Sequence, residues 1–310
     1  MPKPIPRDTI GLADRLAIQD CLLFYGYSMD RGHAEGVASC FTEDGLVTNA
    51  AGERFTGRDG IYRFAANAMK NPLFRGRQHH IRPMFFQASG DGYRVTSYYQ
   101  ALSAPVGKPV QMGSMGAYVD EVVRNGVSWK IKSKVLHHIR SDRPAPPLGD
   151  QPLLRTVPGG LQGPDTPTSD ERAAMEALMM TYATALDTAD VAAMTAAFAP
   201  GAVFESGSVG KVTAPAGIRT FLAAASGRPG FGGRQHRIFP ILYRREGKGW
   251  RTFSYWKVET WTVGSPATVV NMGYYDDLLE RREGEWRFAQ KAIHPWNSQV
   301  APMYEGWVQT

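Results

Sequence analysis

Gly76-Arg77-Gln78-His79-His80-Ile81-Arg82-Pro83 returns 157 positions later as Gly233-Arg234-Gln235-His236-Arg237-Ile238-Phe239-Pro240. The same offset aligns residues 14–141 with 171–298 without a gap. Tyr25 falls on Tyr182, Asp30 on Asp187, Phe41 on Phe198 and Ser97-Tyr98 on Ser254-Tyr255. Tyr118, Asp120, Trp129, Lys134 and His137 fall on Tyr275, Asp277, Trp286, Lys291 and His294. A constant offset over so long a span marks a tandem duplication, with copies too few and too large for a solenoid. Each copy has about 130 residues, enough to bury its own core.

The repeat fixes the expected domains. Residues 1–141 form the first and 168–298 the second. Between them, 142–167 holds seven prolines and Gly159-Gly160, the composition of a semi-rigid linker. Residues 299–310 form a tail whose Met303, Tyr304 and Trp307 suggest docking onto a surface such as a neighbouring subunit.

Composition excludes several classes. Of 310 residues, 43% are hydrophobic and 21% charged, with a net charge of +6. Lys and Arg are scattered, with no run longer than a pair such as Arg281-Arg282, which predicts a solvated basic surface and no nucleic-acid stripe. Two cysteines, Cys21 and Cys40, permit neither a cysteine metal cluster nor a disulfide framework. Cys21 lies among Leu22, Leu23 and Phe24 and reads as a buried thiol, consistent with a cytoplasmic protein. The opening Met-Pro-Lys-Pro-Ile-Pro-Arg has no apolar signal core, and no apolar run reaches the length of a membrane span.

Within one copy, Leu12 to Asp30 has helical apolar spacing and ends before Gly32; Arg172 to Asp187 repeats it. A short helix follows from His33 to Phe41 (Asp190 to Phe198), then a strand at Leu46-Val47, then a helix from Gly57 to about Met69. Segments 78–88, 92–105, 110–123 and 128–140 alternate like strands, with hairpin signals at Ser89-Gly90-Asp91-Gly92 and Arg124-Asn125-Gly126. Three helices followed by an antiparallel meander make an α+β unit, in which a strongly bent sheet leaves a cone-shaped apolar pocket.

Side chains alternate across a strand. Positions 79, 81 and 83 are shared between the copies whereas 80 and 82 are not, so His79 and His236 are expected on the inner face. His80 and Arg82 then face outward or into an interface. Simple alternation along the last strand puts Trp129, Ile131, Ser133, Val135 and His137 on one face, making His137 and His294 further candidates for the cavity. Asp30 and Asp187 close the first helix of each copy, against the macrodipole, where a carboxylate wants a partner such as an imidazole. Tyr25 and Tyr182 lie five residues before them, roughly 140° around the helix, and could border one cavity mouth.

Ala17-Ile18-Gln19-Asp20 through Asp30, Phe41-Thr42-Glu43-Asp44-Gly45, the Gly57/Gly60 helix start, the histidine strand, and Gly116-x-Tyr118-x-Asp120-Glu121 with Trp129-Lys130-Ile131 together resemble a SnoaL-like unit of the nuclear-transport-factor-two-like superfamily. The resemblance covers both copies. It implies two tandem conical α+β barrels with apolar pockets, in a superfold that hosts dehydratases, cyclases, isomerases and non-catalytic modules. Its dehydrochlorinase-like members pair the helix-end aspartate with the strand histidine. By that likeness the catalytic groups are Asp30, His79 and Tyr25, with Asp187, His236 and Tyr182 in the second copy. His137, His294, Arg82 and Tyr98 are the expected substrate contacts. Pro83 and Pro240 depart from the pattern, because many relatives carry an asparagine there.

These residues suit general-base chemistry. The aspartate fixes the imidazole tautomer, the other ring nitrogen takes a proton from substrate, and Tyr25 donates to an oxygen. No cofactor and no metal are expected. The expected activity is that of a lyase acting on a small hydrophobic or aromatic substrate, by dehydration or by loss of a fragment such as formaldehyde from a lignin-derived aromatic dimer. A cyclase or isomerase using the same base, and a ligand-binding or scaffold protein, are the alternatives. No nucleic-acid or membrane partner is expected. The copies are expected to form an intrachain pseudo-dimer within a homo-oligomer.

Overall fold

A computed structural model of the chain describes residues 9–71, 76–105, 107–139, 154–157, 165–227 and 231–296. The chain forms two compact units, one built on residues 9–103 and 111–139, the other on 165–296. The tail at 299–310 lies outside the described residues.

In the first unit, β1 (Thr9–Gly11) leads into α1 (Leu12–Asp30), followed by α2 (Ala34–Ser39), β2 (Phe41–Thr48), β3 (Arg54–Thr56) and α3 (Gly57–Met69). Four long strands complete it: β4 (Arg77–Ser89), β5 (Gly92–Ser103), β6 (Gln111–Asn125) and β7 (Ser128–His138). The sheet order is β3-β2-β7-β6-β5-β4. The predicted meander is present, but the sheet is mixed: β2 re-enters parallel to β7 and carries β3 antiparallel on its edge. Leu46-Val47 alone understated β2, which begins at Phe41, the residue expected to close the second helix. The stretch expected to be only a linker contains β8 (Arg155–Val157), which pairs in parallel with β1.

The second unit repeats the plan with α4 (Ser169–Thr188), α5 (Val191–Ala196), β9 (Phe198–Ser206), β10 (Gly210–Thr213), α6 (Ala216–Ser226), β11 (Arg234–Glu246), β12 (Gly249–Thr260), β13 (Thr268–Arg282) and β14 (Glu285–Pro295). Its order is β10-β9-β14-β13-β12-β11. Helix α4 starts three residues before the periodic pattern suggested. Thr168 accepts from the Glu171 amide while the Glu171 side chain caps Thr168, a capping box that the apolar period does not register.

Helix α1 stops where it does because Gly32 takes φ 70°, a conformation costly for other residues, and the Arg31 N–H closes on the Tyr27 carbonyl. That stop leaves Asp30 at the end of the helix, facing β4. The helix lies tightly on that strand: a Cβ at Gly26 would come 2.7 Å from Ile81 Cδ1 and 3.3 Å from the His79 Cβ. Both cysteines are buried free thiols.

Bulges then decide which side chains face the helices. In β7 the partners step from Glu121–Ser133 to Val122–Ile131, leaving Lys132 extra. An extra residue inverts the alternation beyond it. Trp129 and Ile131 face inward, but the next inward residue is Lys134, not Ser133. Lys134 lies 2.7 Å from Asp120, with both side chains fully buried. Its ammonium stands 4.4 Å and 4.1 Å from the ring centres of Tyr25 and Tyr118. Ala289 plays the part of Lys132 in β14. There Lys291 meets Asp277 at 2.8 Å over Tyr182 and Tyr275, again fully buried. Two charged pairs are thus core features of a fold that is otherwise closed by aromatic packing.

Candidate functional site

The helix-end aspartate and the strand histidine meet in both units. In the first, the His79 backbone N–H donates to Asp30 Oδ2 at 2.7 Å, and His79 Nδ1 lies 2.5 Å from Asp30 Oδ1. In the second, the His236 N–H donates to Asp187 Oδ2 at 2.7 Å, with Nδ1 2.5 Å from Oδ1. Each carboxylate spends one oxygen on the backbone and the other on the ring. An ionised carboxylate only accepts, so the proton of this contact sits on Nδ1, and the neutral form of such a ring presents its lone pair at Nε2. The same two contacts offset the cost of an aspartate at the negative end of a helix. Asp30 and His79 are buried. Asp187 is slightly more open, its side chain 15% exposed.

The strand register places the other predicted residues. Ile81 pairs with Tyr99, and Arg82 with Tyr98. Ile81 shares the inner face with His79, so Tyr99 is inward and Tyr98 is not. Tyr98 also pairs with Ala117, which pairs with His137. Arg82, Tyr98 and His137 therefore share the opposite face of the sheet, away from Asp30. The Lys132 bulge is the reason His137 does not follow the alternation expected from Trp129. His294 is displaced the same way: it pairs with Tyr274 and stacks on that ring at 4.6 Å, on the face opposite Tyr275 and Lys291. His80 is on the outer side as expected, yet buried, with Nε2 3.2 Å from Gln78 Oε1.

Tyr25 and Tyr182 face inward but are wholly buried against the charged lysines and against Tyr118 and Tyr275. Burial, followed by the neighbouring Asp120 charge, pushes the Tyr25 hydroxyl far above its ordinary value. Tyr25 is thereby a core residue beneath the site, not a group bordering its mouth.

Three residues missed by the sequence reading stand nearer the dyad. The Tyr99 ring lies 6.5 Å from the His79 ring and stacks on Tyr118 at 4.3 Å. It crosses β6 at Gly116, where a Cβ would strike the ring at 2.7 Å. Burial pushes the ionisation of its hydroxyl up to about 12, while the neighbouring Ser114 and Arg77 pull it down. Arg77, two residues before His79 and on the same face, stands within electrostatic reach of Asp30, Tyr118 and Tyr99. The duplicated Gly-Arg-Gln-His string already contained Arg77, and its strand parity matched His79. The sequence signal for Tyr99 is weaker, because the second copy has Trp256 there.

Among the described residues, no group of three or more His, Cys, Asp or Glu side chains is arranged to hold a metal ion. None of the described helices is long and apolar enough to cross a membrane. A groove of about 490 Å³ lined by Asp44, Asp91, Glu121 and Lys132 shares no residue with the dyad.

The close contact at Gly26 makes a test of positioning. Gly26→Ala needs the His79 strand to give by a few tenths of an ångström, although Ala183 at the equivalent place shows that the fold accepts the methyl. We expect a stability loss of about 1 kcal/mol by denaturant melting. The fall in turnover should be larger, roughly tenfold, because the base shifts relative to substrate.

Residues 11–135 and 167–291 each match the model of the SnoaL-like domain. No curated protein matches the chain. Among solved structures, an NTF2-like protein with a cystatin-like fold from Novosphingobium aromaticivorans is 20% identical, covering 42% of this chain and 84% of that one, with a TM-score of 0.39. Aln2 from a Streptomyces species is 23% identical over 42% of this chain and 93% of its own, with a TM-score of 0.37. ActVI-ORFA from Streptomyces coelicolor is 19% identical over 41% of this chain and 98% of its own, with a TM-score of 0.36.

Proposed function

The chain belongs to the SnoaL-like domain family, and on that premise we propose that its first unit is a lyase whose general base is His79, oriented by Asp30. The observation that carries this reading is the double contact of Asp30 with the backbone and ring of His79. That contact presets the tautomer and stabilises the imidazolium once it forms. The substrate is small and hydrophobic or aromatic, matching the aromatic surroundings of Tyr99 and Tyr118.

In a dehydration, His79 Nε2 takes a proton from carbon. The C–H electron pair becomes the new double bond, and the leaving oxygen departs with its bonding pair and a proton, as water. Loss of formaldehyde uses the same base on a hydroxyl proton. The O–H pair becomes the carbonyl bond, and the C–C pair forms the alkene as the neighbouring oxygen leaves as water. Tyr99, its ring 6.5 Å from that of His79, is the proposed hydrogen-bond donor to the departing oxygen. The second unit carries the same base at His236 in a site of different shape, with Trp256 and Asn271 in place of Tyr99 and Ser114.

Incubation with 1,2-diarylpropane-1,3-diols, read by product mass, tests the class. A mass lower by water, or by water and formaldehyde, supports the lyase. An unchanged mass with a new retention time replaces it with an isomerase or cyclase. Tyr99→Phe should then lower kcat by about 10²-fold, the cost of one donor to a developing oxyanion. An unaltered kcat would remove Tyr99 from that role.

A further inference from the structure

We infer that Arg77, next to Tyr99, forms an anion-recognising corner beside the Asp30–His79 pair, so that the substrate of the first unit is an aromatic compound bearing an acidic oxygen. The inference rests on the reading of the first unit as an enzyme site and names what that site selects.

Three geometric observations place the corner. Arg77 and His79 occupy the same face of β4, opposite Ser103 and Ala101. The Arg77 Nη2 lies 3.4 Å from where a Gly113 Cβ would stand, so the guanidinium reaches across to β6, next to Ser114. Ser114 pairs with Ala101, the register partner of His79, and the Tyr99 ring lies 6.5 Å from that of His79. A planar five-donor cation, a phenol and an imidazole therefore converge on one side of the strand pair. A guanidinium presents the fork geometry that matches a carboxylate or phenolate oxygen, and aromatic walls strengthen such a contact by excluding water.

The second unit keeps the arginine, the histidine and the aspartate but differs in the other two groups: Trp256 replaces the phenol and Asn271 replaces the serine.

The test uses the full chain with 4-nitrophenol, 4-nitrobenzoate and nitrobenzene as probes. The wild type should bind the two acidic probes more tightly than nitrobenzene, and bound 4-nitrophenol should show its phenolate band at a lower pH than in free solution. Arg77→Gln should weaken both acidic probes by at least about tenfold and abolish the band shift, leaving nitrobenzene binding unchanged. Arg77→Lys should keep the shift in part, and Arg234→Gln should keep it fully. If 4-nitrophenol gains more over nitrobenzene than 4-nitrobenzoate does, the anion is a phenolate; the reverse identifies a carboxylate. Unaltered acidic-probe binding in Arg77→Gln, or an equal loss of nitrobenzene, overturns the inference. His79→Gln separates it from the base assignment. Lost turnover with retained nitrophenolate binding upholds both, whereas retained turnover with a lost shift in Arg77→Gln leaves the anion corner standing without the base.

Discussion

Asp30→Asn and His79→Gln should each lower turnover by about 10³-fold, within the range for removing a positioned general base. The two variants fail for different reasons. Glutamine at 79 can still hydrogen-bond Asp30 but has no lone pair of adequate basicity at the position of Nε2. Asparagine at 30 retains an acceptor for one of the two contacts, but it presents an N–H to the other. It therefore loses either the bond to the His79 amide or the one that holds Nδ1 protonated. Because the pair acts as a unit, the double variant should be little worse than either single one. His236→Gln, measured beside them, reports how much of the activity belongs to the second unit. Full activity in both histidine variants, and in their combination, would remove the base assignment. Folding must be followed in parallel, since Asp30 ties the end of α1 to β4.

The second large effect concerns stability. Lys291→Met should destabilise the second unit by about 3–5 kcal/mol, because it strands Asp277 as a buried charge without its partner. Replacing both, with Asp277→Leu and Lys291→Met, should recover most of that loss, since desolvation of the pair offsets much of its attraction. The existing shifts point the same way. Burial pushes Asp277 up to about 6 against the pull of Lys291, and burial holds Lys291 below its ordinary value against the pull of Asp277. An unfolded aspartate titrates near 3.9. The folded unit therefore holds a proton on Asp277 through a range where the unfolded chain has released it, so the group favours folding most at low pH, and the advantage is lost as pH rises through 6. Without Lys291 the proton is held more tightly still. The deficit of Lys291→Met should accordingly shrink as pH falls towards 4. Calorimetry across that range, or hydrogen exchange in β13 and β14, measures it. A deficit independent of pH would mean that lost packing, not charge, sets the cost.

Most of the fold could be read from the repeat and from local punctuation. Gly32, Gly57 and the hairpin glycines mark the ends of α1, the start of α3 and the long strands, because they meet local backbone requirements that a sequence displays. The parallel return of β2 beside β7 and the pairing of β1 with β8 could not be read in this way, since both depend on contacts between distant segments. The site divides along the same line. His79 precedes every bulge in its strand, so parity puts it beside Asp30. His137 follows the Lys132 bulge, and one extra residue sends it to the far face. Tyr98 and Tyr99 are adjacent, and only the register with Ile81 and Gly116 says which one looks inward. Lys134 reads as a surface charge by residue type but is fully buried, because Asp120 and two aromatic faces receive it.

If Asp30 presets His79 as a base, the neutral His79 ring is unprotonated at Nε2. Nitrogen-15 spectra of histidine-labelled protein at neutral pH, with His79 assigned by comparison with His79→Gln, test it directly. The expected spectrum is that of an imidazole whose neutral form carries its proton on Nδ1, with loss of that preference in Asp30→Asn. A His79 ring protonated on Nε2 with Nδ1 bare would contradict it.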